Sequence, residues 1–188
     1  MLYPTFKRLM RSRFAQREDG SVAIEAVIIL PLLFMTFLSL FSIFDAFNQY
    51  SANQKAAYTV GDMLSRETAH VDNDYLDGTH QLFDYLTRSP QESALRISLL
   101  KYNLAGDDYE VFWSQTRGWK TPLTTADVTG WNDRIPTMPD DEYVIITETW
   151  SKYEPPFKTG LENTEIRNFI FTRPRYAPCV LWDGMEGC

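Results

Sequence analysis

Four groups of residues have types and spacing that could do chemistry. His70 and His80 stand ten apart in a polar stretch, too far for two ligands on one helical face, and read as solvated histidines. The run DNDYLDG, Asp72 to Gly78, gathers oxygen donors of the kind calcium prefers. An EF-hand loop beginning at Asp72 would need oxygen ligands where Leu76 and Phe83 stand, so that match fails. A looser calcium site, here or at Asp140-Asp141-Glu142, competes with acids simply solvated in turns, the commoner case. Cys179 and Cys188 bracket VLWDGMEG; nine apart and without further ligands they do not make a metal site. In an oxidising compartment they would close a short disulfide loop, the alternative being two unrelated thiols. The fourth group is a single residue, Glu25, a carboxylate just inside a run that otherwise belongs in hydrocarbon.

The search for a reaction centre is negative. There is no G-x-S-x-G and no phosphate-cradling glycine loop, so hydrolase and nucleotide chemistry have no support in sequence. No catalytic residue, cofactor or metal is assigned. The net charge of −7 argues against nucleic acid, which needs a basic face. Trp113, Trp119, Trp131, Trp150 and Trp182 could line a groove, but in a small sheet domain such residues are more often core or interface.

The elements around these residues divide by charge. Residues 1–20 hold five basic groups against Glu18 and Asp19, a net of +3, whereas residues 45–188 hold 13 basic against 22 acidic, a net of −9. Between them Ala26 to Phe44 is 19 residues without formal charge. At ~1.5 Å per residue that run spans roughly 29 Å, close to the hydrocarbon thickness of a bilayer. A secretory signal peptide has a similar plan, but this run is long for one and Asp45-Ala46-Phe47-Asn48 offers no small-x-small cleavage site. The expectation is a basic cytoplasmic leader over 1–20, a transmembrane helix over 21–44 kinked at Pro31, and an exported domain over 45–188.

Beyond Phe44 the helix is expected to continue, because Ala46, Tyr50, Ala57, Val60 and Leu64 share an arc of about 80° at 100° per residue. Asn53 interrupts that arc and Gly61 weakens its last turns. Glu67 to His80 reads as a polar loop, and Gly78 to Arg88 as a short helix stopping before Ser89-Pro90. Leu95, Ile97 and Leu99 then alternate with polar residues, Tyr109 to Gln115 is a second strand across an AGDD turn, and Glu142 to Trp150 and Glu165 to Arg173 are two more. Gly118 to Asp141 is a long connection. The fold class is α+β: a long N-terminal helix, half in lipid, packed on a small antiparallel sheet in a single-pass membrane protein.

The segment DGSVAIEAVIILPLLF resembles the N-terminal region of TadE-like minor pseudopilins, of the tight-adherence (Tad) branch of type IV pilus systems. Gly20, Ser21, Ala23, Glu25 and Pro31 carry the resemblance, which covers about residues 16 to 65. It implies cleavage by a prepilin peptidase between Gly20 and Ser21 on the cytoplasmic face, which makes Glu25 the fifth residue of the mature chain. A carboxylate in low dielectric then becomes tolerable by pairing with the new α-ammonium of a neighbouring subunit. Ser21 is not the Phe or Met usual in major pilins, which suits the minor branch, and the size of the remainder suits TadE-like or TadF-like relatives rather than TadG-like ones. The implied partners are the prepilin peptidase, other pilins and pseudopilins, inner-membrane pilus-assembly proteins and membrane lipid. The implied place is the bacterial inner membrane, N-terminus cytoplasmic and C-terminal domain periplasmic. The rival reading is a membrane-anchored periplasmic enzyme or ligand-binding module in which Gly20 and Glu25 are incidental.

Overall fold

Helix α1, Ser21–Ser65, is unbroken through the apolar run and the polar turns that follow it, with Pro31 inside. The structure is a computed structural model and describes residues 21–88 and 91–188. The described residues fall into two units, one of residues 21–44 with Pro156–Leu161, the other of Asp45–Pro155 with Glu162–Cys188. The first part of α1 belongs to one and its continuation from Asp45 to the other.

In the larger unit α2 (Asn73–Thr87) is followed by β1 (Ser93–Asn103) and β2 (Asp108–Arg117), then a connection with the short helix α3 (Thr125–Val128) and a 3₁₀ turn at Trp131–Asp133. Strands β3 (Tyr143–Tyr153) and β4 (Thr164–Thr172) complete an antiparallel sheet of order β2-β1-β3-β4. The β1–β2 turn is tied by Asn103, whose Oδ1 accepts from the backbone N–H groups of Ala105 and Gly106. Asp107 takes the positive φ that the turn needs.

Strand alternation gives the sheet two faces, and both are covered. On one, Leu95, Ile97, Leu99, Trp113 and Ile145 pack with Ala56, Val60 and Leu64 of α1 and with Leu76 and Phe83 of α2. The arc expected for α1 is thus real where it meets the sheet, although Tyr50 is exposed. Asn53 lies buried in it, its Nδ2 donating to Gln49 O at 2.9 Å. On the other face Leu100, Tyr102, Val144 and Ile146 pack under Leu123, Val128, Trp131, Ile135 and Met138 of the long connection. Arg96 and Glu148 are register partners there, Nε to Oε2 at 2.7 Å, with the guanidinium 5.0 Å from the Trp150 ring and a second donor on Thr121 O. That pair holds the connection to the strands while satisfying a largely buried charge.

The loop expected over Glu67 to His80 is shorter, and the helix expected from Gly78 begins at Asn73. Asp72 is its N-cap, accepting from Tyr75 N at 2.7 Å, so a local side-chain hydrogen bond starts the helix in a stretch whose composition suggests a turn. Its end before Pro90 matches, with Arg88 at positive φ closing the last turn.

Candidate functional site

From Val22 to Phe37 every residue of α1 is exposed. The aliphatic and aromatic side chains point in all directions around the axis, as they do on a helix surrounded by hydrocarbon or by other apolar helices. Val27 is 73% and Phe44 67% exposed, values far beyond those of an ordinary core helix. The three hydroxyls between Ala26 and Phe44 are satisfied inside the helix: Thr36 donates to Leu32 O at 2.9 Å, Ser39 to Met35 O at 2.9 Å and Ser42 to Leu38 O at 3.0 Å. Each thereby presents no unmet donor to an apolar medium. Length, composition and exposure together make this a helix able to span a membrane.

Glu25 is exposed in the second turn of α1. Ser21 is the first helical residue, four before Glu25 and so one turn away on the same side. Gly20 and the 1–20 leader lie outside the described residues. Pro31 sits in the apolar run without ending the helix. In the larger unit, Cys179 and Cys188 are joined by a disulfide, their Cα atoms 5.9 Å apart. The segment they close is sewn into the core: Trp113 Nε1 donates to Val180 O at 2.8 Å, Val71 N to Leu181 O at 2.8 Å and Asp183 N to Val71 O at 2.9 Å.

The groups read as possible reaction or ion sites have structural occupations. His80 Nε2 lies 2.8 Å from Ser93 Oγ, whose hydroxyl donates to Asp84, and the same nitrogen is 3.9 Å from Asp84 Oδ2. In a serine–histidine–acid triad the acid holds the far nitrogen of the ring; here it faces the near one, and the cluster ties α2 to β1. His70 is exposed. Asp77 pairs with Arg117, whose guanidinium also donates to Asn73 Oδ1 at 2.9 Å. Asp140 Oδ1 accepts from Leu104 N at 2.9 Å, Asp141 pairs with Lys101 at 2.7 Å and Glu142 pairs with Arg173. A cleft of about 640 Å³ is lined by Lys101, Tyr143, Arg173, Pro178 and Cys188, but both its cations are engaged by those carboxylates. The hydrogen bond that the Lys101 ammonium donates to Asp141 holds its pKa above the ordinary lysine value. Among the described residues no three His, Cys, Asp or Glu side chains gather as metal ligands.

The feature with no counterpart in the packing of a water-soluble domain is the naked apolar helix with its N-terminal acid. The family model for TadE-like proteins matches residues 20–62, which contain that helix, Glu25 and Pro31. Over those residues the chain is similar to TadE-like proteins. The match ends at Asp62, so it includes Ala56 and Val60 of the sheet-packed part of α1 but neither Leu64 nor any strand. No curated protein and no solved structure matches the chain. Two contributors escaped sequence reasoning, the i−4 bonding of Thr36, Ser39 and Ser42 and the docking of Phe157 on Phe41. The first was legible as hydroxyls inside an apolar helix; the second had no sequence signal.

Proposed function

We propose that this chain is a minor pseudopilin of Tad pilus assembly, cut by a prepilin peptidase between Gly20 and Ser21. Residues 21–44 span the inner membrane with the basic leader in the cytoplasm, and residues 45–188 lie in the periplasm as an α+β domain. The observation that carries this reading is the exposed apolar helix whose only formal charge before Asp45 is Glu25, one turn from the residue that cleavage would make the new N-terminus. Cleavage creates an α-ammonium one turn, about 6 Å along the axis, from Glu25, so a neighbouring helix offset by that distance brings its own amine level with the acid. An amine and a carboxylate at the same level can neutralise one another between laterally packed helices, and that pairing fixes the axial register of the subunits. The apolar surface around the helix supplies the packing, and Pro31 introduces a bend where the missing N–H frees a carbonyl. The larger unit presents its surface to other pilins, pseudopilins or assembly proteins.

The test is the intact mass of the full chain made with and without a prepilin peptidase. Loss of a 20-residue leader only when the peptidase is present is the expected result. A chain that keeps its leader in cells making functional pili overturns the reading.

A further inference from the structure

The β3–β4 connection contains Pro156–Leu161, which group with the apolar part of α1. Phe157 packs edge-on against Phe41, ring centroids 5.8 Å apart. Phe41 belongs to the uncharged run that ends at Phe44, three residues and so about 4.5 Å along the helix axis. The ring contact therefore sets the depth of the connection: Phe157 lies level with a residue inside the hydrocarbon-facing run, short of its Asp45 end.

Other features agree with that depth. Between Val22 and Phe44 the residues that are not exposed are Leu38, Ser39 and Ser42, which flank Phe41. Phe157 and Leu161 remain 41% and 39% exposed, and Lys158 is exposed between them. The segment is a tight turn, with Thr159 N donating to Phe157 O at 2.9 Å and Gly160 at φ 100°. Such a turn presents two apolar side chains and one long cation from a few residues. Phe and Leu side chains buried at the headgroup–acyl boundary, with a lysine whose stem lies along apolar surface and whose ammonium reaches water, suit a membrane-interface anchor.

We infer that the Pro156–Leu161 turn enters the lipid interface beside Phe41, so that this chain touches the bilayer with a loop as well as with its helix. The inference rests on the membrane-spanning reading of residues 21–44, and its occupant is lipid. The full chain is reconstituted in vesicles of phosphatidylethanolamine and phosphatidylglycerol. Because Cys179 and Cys188 are joined, a single introduced thiol can be spin-labelled at Phe157→Cys, Leu161→Cys, Phe34→Cys or Leu104→Cys. Phe34 marks the middle of the run, and Leu104, at the polar β1–β2 turn, marks water. The ratio of oxygen to nickel-chelate accessibility should be several-fold higher at 157 and 161 than at 104, and highest at 34. Values at 157 and 161 equal to that at 104, with 34 deep, overturn the loop contact and leave the spanning helix intact. A water-like value at 34 overturns both. The two loop positions report independently, so loss of one variant to misfolding leaves the other to decide.

Discussion

Gly61 of α1 lies so close to β4 that a methyl group added to it would stand 3.1 Å from Thr172 Oγ1 and 3.4 Å from Ile170 Cγ2. Glycine in a helix interior costs about 1 kcal/mol relative to alanine, so its presence four residues before the helix ends is a local penalty accepted for a close helix–sheet approach.

Two substitutions separate these effects. Gly61→Ala gains helix propensity of about 1 kcal/mol and meets the half-buried Thr172 hydroxyl, which can turn away at the end of its strand, so stability should change by less than about 1 kcal/mol. Gly61→Leu has no such relief and should destabilise by about 1–3 kcal/mol. Denaturant unfolding of the full chain in detergent, followed by tryptophan fluorescence, measures both; equal stability of the leucine variant would show that the helix does not press on β4.

The same residue shows how far sequence could reach. Gly61 reads there as a weak point in a helix, because its partners Ile170 and Thr172 are more than a hundred residues away and no periodicity points to them. Elements whose signal is local were legible. Leu95, Ile97 and Leu99 mark β1 by alternation, and Ala57, Val60 and Leu64 mark the buried face of α1. The α2 start was misplaced because Asp72, Asn73 and Asp74 have turn composition, and only the bond from Tyr75 N to Asp72 shows that the first acid is a cap. The cover over the second sheet face also went unread: Leu123, Val128, Trp131, Ile135 and Met138 lie in a segment whose prolines and polar residues mark a connection, and Arg96 gives no hint that it is buried. For the candidate site, the apolar run and Glu25 needed only composition, whereas the Phe41–Phe157 contact depends on the tertiary fold.

Tyr153 gives a pH dependence. Its hydroxyl donates to Asp45 Oδ2 at 2.9 Å, and burial, reinforced by that bond and by the Asp45 charge, pushes its pKa up from 10.0 to about 12. A tyrosine is neutral when protonated, and here the folded state holds the proton more tightly than the unfolded one. Its contribution to stability is therefore complete below about pH 10 and is lost as pH rises through about 12. Tyr75, raised mainly by burial, and Tyr102, raised mainly by its bond to Asp107, act in the same window. Tyr153→Phe should cost about 1 kcal/mol near neutral pH by removing the bond to Asp45, and should make the alkaline loss of stability shallower. Urea midpoints of both chains between pH 8 and pH 12 provide the measurement; parallel curves would separate Tyr153 from the alkaline transition.

The Cys179–Cys188 bridge closes a loop of ten residues that already donates to and accepts from the core through Val71 and Trp113. In the chain-entropy account a loop of that length is worth about 2.5 kcal/mol, nearly all from restricting the unfolded chain. Replacing both cysteines by serine, or adding a reductant, should lower stability by about that amount and leave the sheet in place. Peptide mapping with and without reduction establishes the bond, and matched unfolding curves of the two forms give the difference. No difference would mean that the hydrogen bonds of Val180, Leu181 and Asp183 hold the segment equally well in both.

Glu25→Ala separates the two uses to which the N-terminal segment is put in the proposed pseudopilin. In that proposal the peptidase acts at the bond after Gly20, five residues before the acid, so removing the carboxylate should leave the leader cut as before. Insertion should be unimpaired or slightly favoured, because an acid within an apolar helix opposes entry by up to about 3 kcal/mol at mid-bilayer and less near its edge. Pilus assembly should nevertheless fall at least tenfold, since a difference of about 1.4 kcal/mol per contact is already one decade and helix packing alone does not fix which residues lie level. Glu25→Asp keeps the charge and should recover part of the activity, which a purely steric role would not predict. The checks are N-terminal mass for cleavage, membrane fractionation for insertion and surface pilus counts for assembly. Normal counts in the alanine variant, with cleavage intact, would remove the acid from the mechanism and leave the apolar helix to associate by packing alone.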